Sequence, residues 1–177
     1  MKPKILVTRK ISDSAEEKLK IKFDVKLNTN DKPIPTNELI KMGNEFDGFI
    51  TSAFDNIGED FFKNLNGKLK IIAHVGVGYD NISIKSAKIK KIKVTNTPNV
   101  LNEAVAETTI LLILAASRRA GEAYNLVKSD NWKNHKPDIT KFMLGNSVTG
   151  KTLGIIGMGR IGRMVTKCAK AFDMKII

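Results

Sequence analysis

The chain has 177 residues, 42% of them hydrophobic and 27% charged, with a formal net charge of +12, a size that accommodates one large domain or two small ones with buried cores. Its longest apolar run, Ile110 to Ala116, falls far short of the roughly 20 residues that cross a bilayer, and no signal-like segment precedes "KPKILVTRK", so a cytoplasmic protein with no membrane partner is expected. Lysines outnumber arginines 25 to 5 and are spread along the chain without interleaved aromatics, so the positive charge reads as solvated faces and no nucleic-acid partner is expected.

In chain order, five short apolar runs are strand candidates: "KILVT" (4–8), "DVKLN" (24–28), "GFIT" (48–51), "LKIIAHV" (69–75) and "IKVTN" (92–96). Helical patterns lie between them, the first being "SDSAEEKLK", opened by Ser12 or Asp13 as an N-cap with acids in the first turn. Strands alternating with helices imply parallel pairing through right-handed crossovers, so residues 1–98 are expected to form an α/β unit.

"TNTPN" (95–99) interrupts the pattern, because Pro98 has no N–H for a ladder and pushes Thr97 away from helical geometry. A domain boundary is expected there. The segment 102–119, "NEAVAETTILLILAASRR", then reads as a helix: Asn102 can cap it, Glu103 suits its positive end, and Arg118 and Arg119 suit its negative end. It is apolar nearly all round, a pattern that calls for burial between two domains or against another subunit. The polar stretch 128–150 that follows holds the only Trp and reads as an excursion over a surface.

Last comes "GIIGMGRIG" (154–162), an apolar strand run and then Gly157, Gly159 and Gly162 in G-x-G-x-x-G spacing. In such a turn the first glycine permits the tight bend, the second lets a pyrophosphate approach the backbone, and the third allows close packing of helix on strand. Amides at the positive end of the helix meet the phosphates. Ile161, Val165, Cys168 and Phe172 fall at helical spacing and are expected to face a sheet, with Cys168, the only cysteine, as a small hydrophobe. One cysteine excludes a disulfide framework and a cysteine metal cluster, and no metal site is expected. A glycine-rich turn without a ligand is the plainer alternative. The acid that would hold the ribose belongs about 20 residues on, at or beyond Ile177, so NAD and NADP are not distinguished. "MKII" reads as a strand with no neighbour yet made.

Three motifs, "HVGVGYDNIS" (74–83), "VTNTPNVLNEAVAETTILLILAASRR" (94–119) and "SVTGKTLGIIGMGRIG" (147–162), together resemble the D-isomer-specific 2-hydroxyacid dehydrogenases, in particular their glyoxylate and hydroxypyruvate reductases. The resemblance runs from the first strand to the last residue. It implies a flavodoxin-like substrate domain over residues 1–98, followed by the start of a Rossmann dinucleotide-binding domain over 99–177, and a homodimer when complete.

The resemblance also assigns residues. The amides of Gly76, Val77 and Gly78 would hold the carboxylate of a small 2-oxo or 2-hydroxy acid, with Val77 also approaching the nicotinamide. Gly157, Gly159, Arg160, Ile161 and Gly162 would bind NAD or NADP. His74 invites assignment as a general base, but the family's histidine, its partner acid and its arginine lie far downstream and match no position here, so His74 reads as a strand-end residue and no catalytic residue is expected. In "NWKNHKP", Trp132 and Pro137 keep the family pattern, whereas His135 replaces a second Trp that many glyoxylate-reductase-like members carry. The chain is thus expected to be the N-terminal half of an NAD(P)-dependent oxidoreductase, inactive alone. A non-catalytic nucleotide-binding or interaction module is the other class.

Overall fold

Over the first unit, Met1–Asn99, the alternating runs become five parallel strands. In order they are β1 (Lys4–Val7), α1 (Asp13–Lys22), β2 (Asp24–Leu27), α2 (Thr36–Gly43), β3 (Gly48–Ser52), α3 (Glu59–Asn64), β4 (Ile71–Val75), α4 (Ile84–Ile89) and β5 (Lys93–Thr95). The computed structural model describes residues 1–129, 131–134 and 142–177. The sheet order is β2-β1-β3-β4-β5 with every pair parallel, the flavodoxin-like 2-1-3-4-5 arrangement.

Side chains alternate across a strand, so Leu6, Phe49 and Ile72 share one face. Against them pack Leu39 of α2, Phe61 and Phe62 of α3 and Ala87 of α4, forming one buried cluster. Phe61 and Phe62 meet edge to face with centroids 5.2 Å apart, a geometry that adds to simple burial. The helix expected after "KILVT" starts at Asp13, with Ser12 as N-cap in extended geometry and no side-chain cap bond.

The second unit, Val100–Ile177, contains α5 (Asn102–Ser117), α6 (Ala120–Lys128), α7 (Asn131–Asn134), β6 (Thr152–Leu153), α8 (Arg160–Lys170) and β7 (Lys175–Ile176). Three expectations are corrected here. Asn102 is the first helical residue of α5 and Leu101 its N-cap; at the other end the helix stops at Ser117, Arg118 is the C-cap, and Arg119 turns into α6 with φ 56°. Across the first turn of the new helix Arg119 donates from Nε to Glu122 Oε1 at 2.9 Å and from Nη2 to Oε2 at 2.5 Å.

Within its own unit α5 finds little of the burial expected for it between two domains or against another subunit. Ala106 alone is buried along it, while Leu111 and Leu112 are 63% and 62% exposed, because packing on α6 and α8 leaves their side uncovered. Finally, "MKII" does have a neighbour: β7 pairs in parallel with β6, Thr152 opposite Lys175 and Leu153 opposite Ile176. The strand before the glycine turn is correspondingly short, and on α8 the buried residues are Val165 and Ala169 rather than Ile161, which is exposed.

Among the described residues no helix is long and apolar enough to cross a membrane, and no group of His, Cys, Asp or Glu suits a metal ion.

Candidate functional site

Ligands of open parallel sheets gather outside the carboxyl ends of the strands, and the Gly76–Gly78 loop leaves the carboxyl end of β4. Its backbone is clamped from β5's side. Thr97 Oγ1 accepts the Gly76 N–H at 3.1 Å, the Thr97 N–H donates to the Gly76 carbonyl at 2.9 Å, and Asn96 Nδ2 donates to the Val77 carbonyl at 2.9 Å. The Gly76 amide is therefore already used by Thr97, unlike the other two amides of the expected cradle, those of Val77 and Gly78. These two donate to no described residue. A Cβ on Gly78 would meet only Asp80 Oδ2, at 3.7 Å, so there is room on that side of the loop.

The segment beyond the loop is anchored to the same sheet end. Asn81 Nδ2 donates to the carbonyls of Ser52 and Asp55 at 3.1 and 2.7 Å. Asp55 is itself buried; its Oδ2 accepts the Thr8 hydroxyl at 2.6 Å and the Ser52 amide at 2.7 Å, while its Oδ1 has no partner among the described residues. At the rim, the Arg9 guanidinium lies 4.8 Å over the Phe54 ring and binds Asp31 at 2.8 Å. That hydrogen bond, with a second from the Lys10 amide, holds the Asp31 carboxyl down to about 2.

His74 does not fit a general base. It is 2% exposed, with Nδ1 hydrogen-bonded to Thr51 Oγ1 at 3.1 Å. Trp132 lies on α7, its ring 6.3 Å from that of Phe142; His135 and Pro137 lie outside the described residues.

Thr97, Asn96, Asp55 and Asn81 have no site role in the sequence pattern, where "TNTPN" marks a strand end, a boundary and part of a family motif. The available signal was the residue types themselves, since Asn, Asp and Thr are the side chains that bond loop backbone.

In the second unit the turn between β6 and α8 has the chemistry of an anion cradle. Gly157 adopts φ 99°, a left-handed geometry that disfavours any Cβ. Gly159 is the N-cap of α8 with no side-chain cap, and a Cβ on either glycine would find no atom within 4 Å. Gly162 is the opposite case, since a Cβ there would run into the Gly157 carbonyl oxygen. The same Cβ would lie 3.4 Å from the Ile155 side chain of the apolar run, so the third glycine closes the helix onto both the turn and that run.

The Arg163 amide takes the Gly159 carbonyl at 3.1 Å as the first rung of the helix, which leaves the amides of Arg160, Ile161 and Gly162 ahead of it without intrahelical acceptors. No acid occupies that first turn, so the positive end of the helix dipole is uncompensated. Open space, a left-handed first glycine and uncapped amides fit a dinucleotide's pyrophosphate.

Residues 5–172 match the family described as D-isomer specific 2-hydroxyacid dehydrogenase, catalytic domain. The glyoxylate reductase of Pyrococcus horikoshii is 41% identical over 180 residues, which take in 100% of this chain and 53% of that protein. An acyclic imino acid reductase in complex with NADPH and D-Arg superimposes with a TM-score of 0.83 at 26% identity, over 97% of this chain and 54% of that one. For the D-lactate dehydrogenase of Aquifex aeolicus complexed with NAD and lactic acid the TM-score is 0.77 at 26% identity, over 98% and 50%. The chain spans about half the length of the curated relatives it matches. With both glycine loops in place and the match running along almost the whole sequence, the chain belongs to the D-isomer specific 2-hydroxyacid dehydrogenase family.

Proposed function

We propose that this chain carries the anion-binding part of an NAD(P)-dependent 2-oxo acid reductase of the glyoxylate or hydroxypyruvate reductase type. Residues 1–98 serve as the substrate domain and 99–177 as the first part of the Rossmann cofactor domain. The observation that carries this reading is the pairing in one chain of two open backbone cradles, the amides of Val77 and Gly78 at a strand's carboxyl end and the uncapped α8 turn with Gly157 at φ 99°. Relatives named glyoxylate reductase suggest the substrate class.

The Val77 and Gly78 amides hold the carboxylate of the oxo acid and fix the orientation of its carbonyl. Open space over Gly159 admits the pyrophosphate of a nicotinamide dinucleotide to the amides of Arg160, Ile161 and Gly162. When bound, the nicotinamide supplies the hydride that reduces the carbonyl carbon. NAD and NADP both remain candidates, since the structural relatives include a complex of each. A second copy of this chain is the proposed protein partner, because the exposed Leu111 and Leu112 on α5 suit a subunit contact, and the cytoplasm is the proposed location.

The test is binding of NADH and NADPH, followed by nicotinamide fluorescence, to the wild type and to Gly159→Leu. Loss of binding by at least tenfold in the variant is expected, because the side chain fills the approach to the amides. Equal affinity would remove the α8 turn from the site. Glyoxylate-dependent NAD(P)H oxidation by these 177 residues is expected to be undetectable. The carbonyl-polarising cation and proton donor of the family pattern match no position here, and such groups contribute roughly 10²- to 10⁴-fold each.

A further inference from the structure

We propose that His74 is a positioning residue for the Gly76–Gly78 loop, acting through Gly76; the consequence for binding rests on the reading of that loop as a carboxylate cradle. Thr51 and His74 stand directly opposite one another in the β3–β4 register, and their hydrogen bond pins the imidazole through Nδ1. The other nitrogen, Nε2, is buried without a partner among the described residues. It faces the loop's own backbone: a Cβ on Gly76 would lie 2.6 Å from His74 Nε2 and 3.0 Å from Cδ2.

The glycine at position 76 is therefore required by the histidine. Gly76 is not among the glycines with positive φ, which in the described residues are Gly150 and Gly157, so its backbone accepts an alanine wherever space allows. Its amide is occupied by Thr97, so no ligand needs room above it. What remains is the imidazole edge. His74 closes on Gly76 from one side while Thr97 holds it on the other, and between them the chain direction into Val77 and Gly78 is set. A buried histidine, 2% exposed, whose second nitrogen has no hydrogen-bond partner among the described residues and stands against Gly76 acts on geometry.

The test compares two amide replacements of different reach, each alone and combined with Gly76→Ala. Asparagine at 74 places its amide near the position of Nδ1 and keeps a partner for Thr51, but leaves the space beside Gly76 empty. Glutamine reaches the position of Nε2 and keeps that space filled. In the wild type and in His74→Gln, Gly76→Ala is expected to lower the melting temperature by roughly 5–15 °C, the overpacking cost of a small domain. In His74→Asn it is expected to cost less than a third of that.

Val77 and Gly78 amide resonances, followed by ¹⁵N NMR, are expected to shift in His74→Asn and not in His74→Gln. Their glyoxylate titration midpoint is expected to rise at least fivefold in His74→Asn and to stay within about twofold in His74→Gln. A role confined to the bond with Thr51 gives the reverse ranking and overturns the proposal, as does an alanine cost at position 76 that is the same in all three backgrounds. If glyoxylate moves neither resonance in the wild type, the cradle reading falls, and the melting and ligand-free shift comparisons alone decide the coupling of His74 to Gly76.

Discussion

The two units of this chain differ in what they enclose. In Met1–Asn99, seven large side chains, Leu6, Leu39, Phe49, Ile57, Phe61, Phe62 and Ile72, are each 1% exposed or less; among the described residues of Val100–Ile177 the buried hydrophobic ones are Ala106, Val165 and Ala169. The second unit is not short of apolar residues, since α5 carries the run Ile110 to Ala116, yet Leu111 and Leu112 stand in the open. Five strands give the helices of the first unit a pleated surface to cover. Among its described residues the second offers two strands of two residues each, and a two-stranded sheet is a marginal platform in water. Burial follows the area of sheet available to a helix, not the helix's own composition.

The largest test of this contrast is truncation of one buried side chain in each unit. Phe61→Ala, emptying a site with 0% exposure in the first core, is expected to cost about 3–5 kcal/mol in denaturant unfolding. Val165→Ala, removing two methyl groups from the second unit's small contact, should cost about 1–2 kcal/mol. Comparable losses would erase the difference between the units.

A smaller effect separates the glycines within the second unit. Gly162→Ala is expected to cost about 1–3 kcal/mol, since the carbonyl of Gly157 that it strikes is backbone and moves only with the turn. Gly159→Ala, with nothing within 4 Å of the added carbon, should stay within about 0.5 kcal/mol of wild type. Thermal melting of both variants checks the ranking.

The smallest effect is electrostatic. Each unit has an arginine–carboxylate pair at its surface, Arg9–Asp31, with Arg9 half-buried, and Arg119–Glu122. The Arg9 hydrogen bond lowers the Asp31 carboxyl from 3.8 to about 2, and Arg119 likewise lowers Glu122. A carboxyl depressed by folding stabilises above its unfolded value and loses that contribution as pH falls through its folded one. The Asp31 contribution is thus complete above about pH 4 and gone near pH 2, and Asp31→Asn should flatten unfolding curves over that interval, less so in high salt.

Local pattern carried much of this protein into view. The alternation of apolar runs with acid-led helices was enough for a parallel α/β unit, because strand and helix periods are written in neighbouring residues. The glycine spacing at 157, 159 and 162 was legible for the same reason, since tight bends and uncapped helix starts are short-range properties. Contacts between distant residues were not legible. Thr97 takes the Gly76 amide from 21 positions away, Thr51 pins His74 from 23, and β7 pairs with β6 across the whole of α8. The exposure of α5 belongs with these, because an apolar helix states that it needs a surface and only the assembled sheet decides whether this chain provides one.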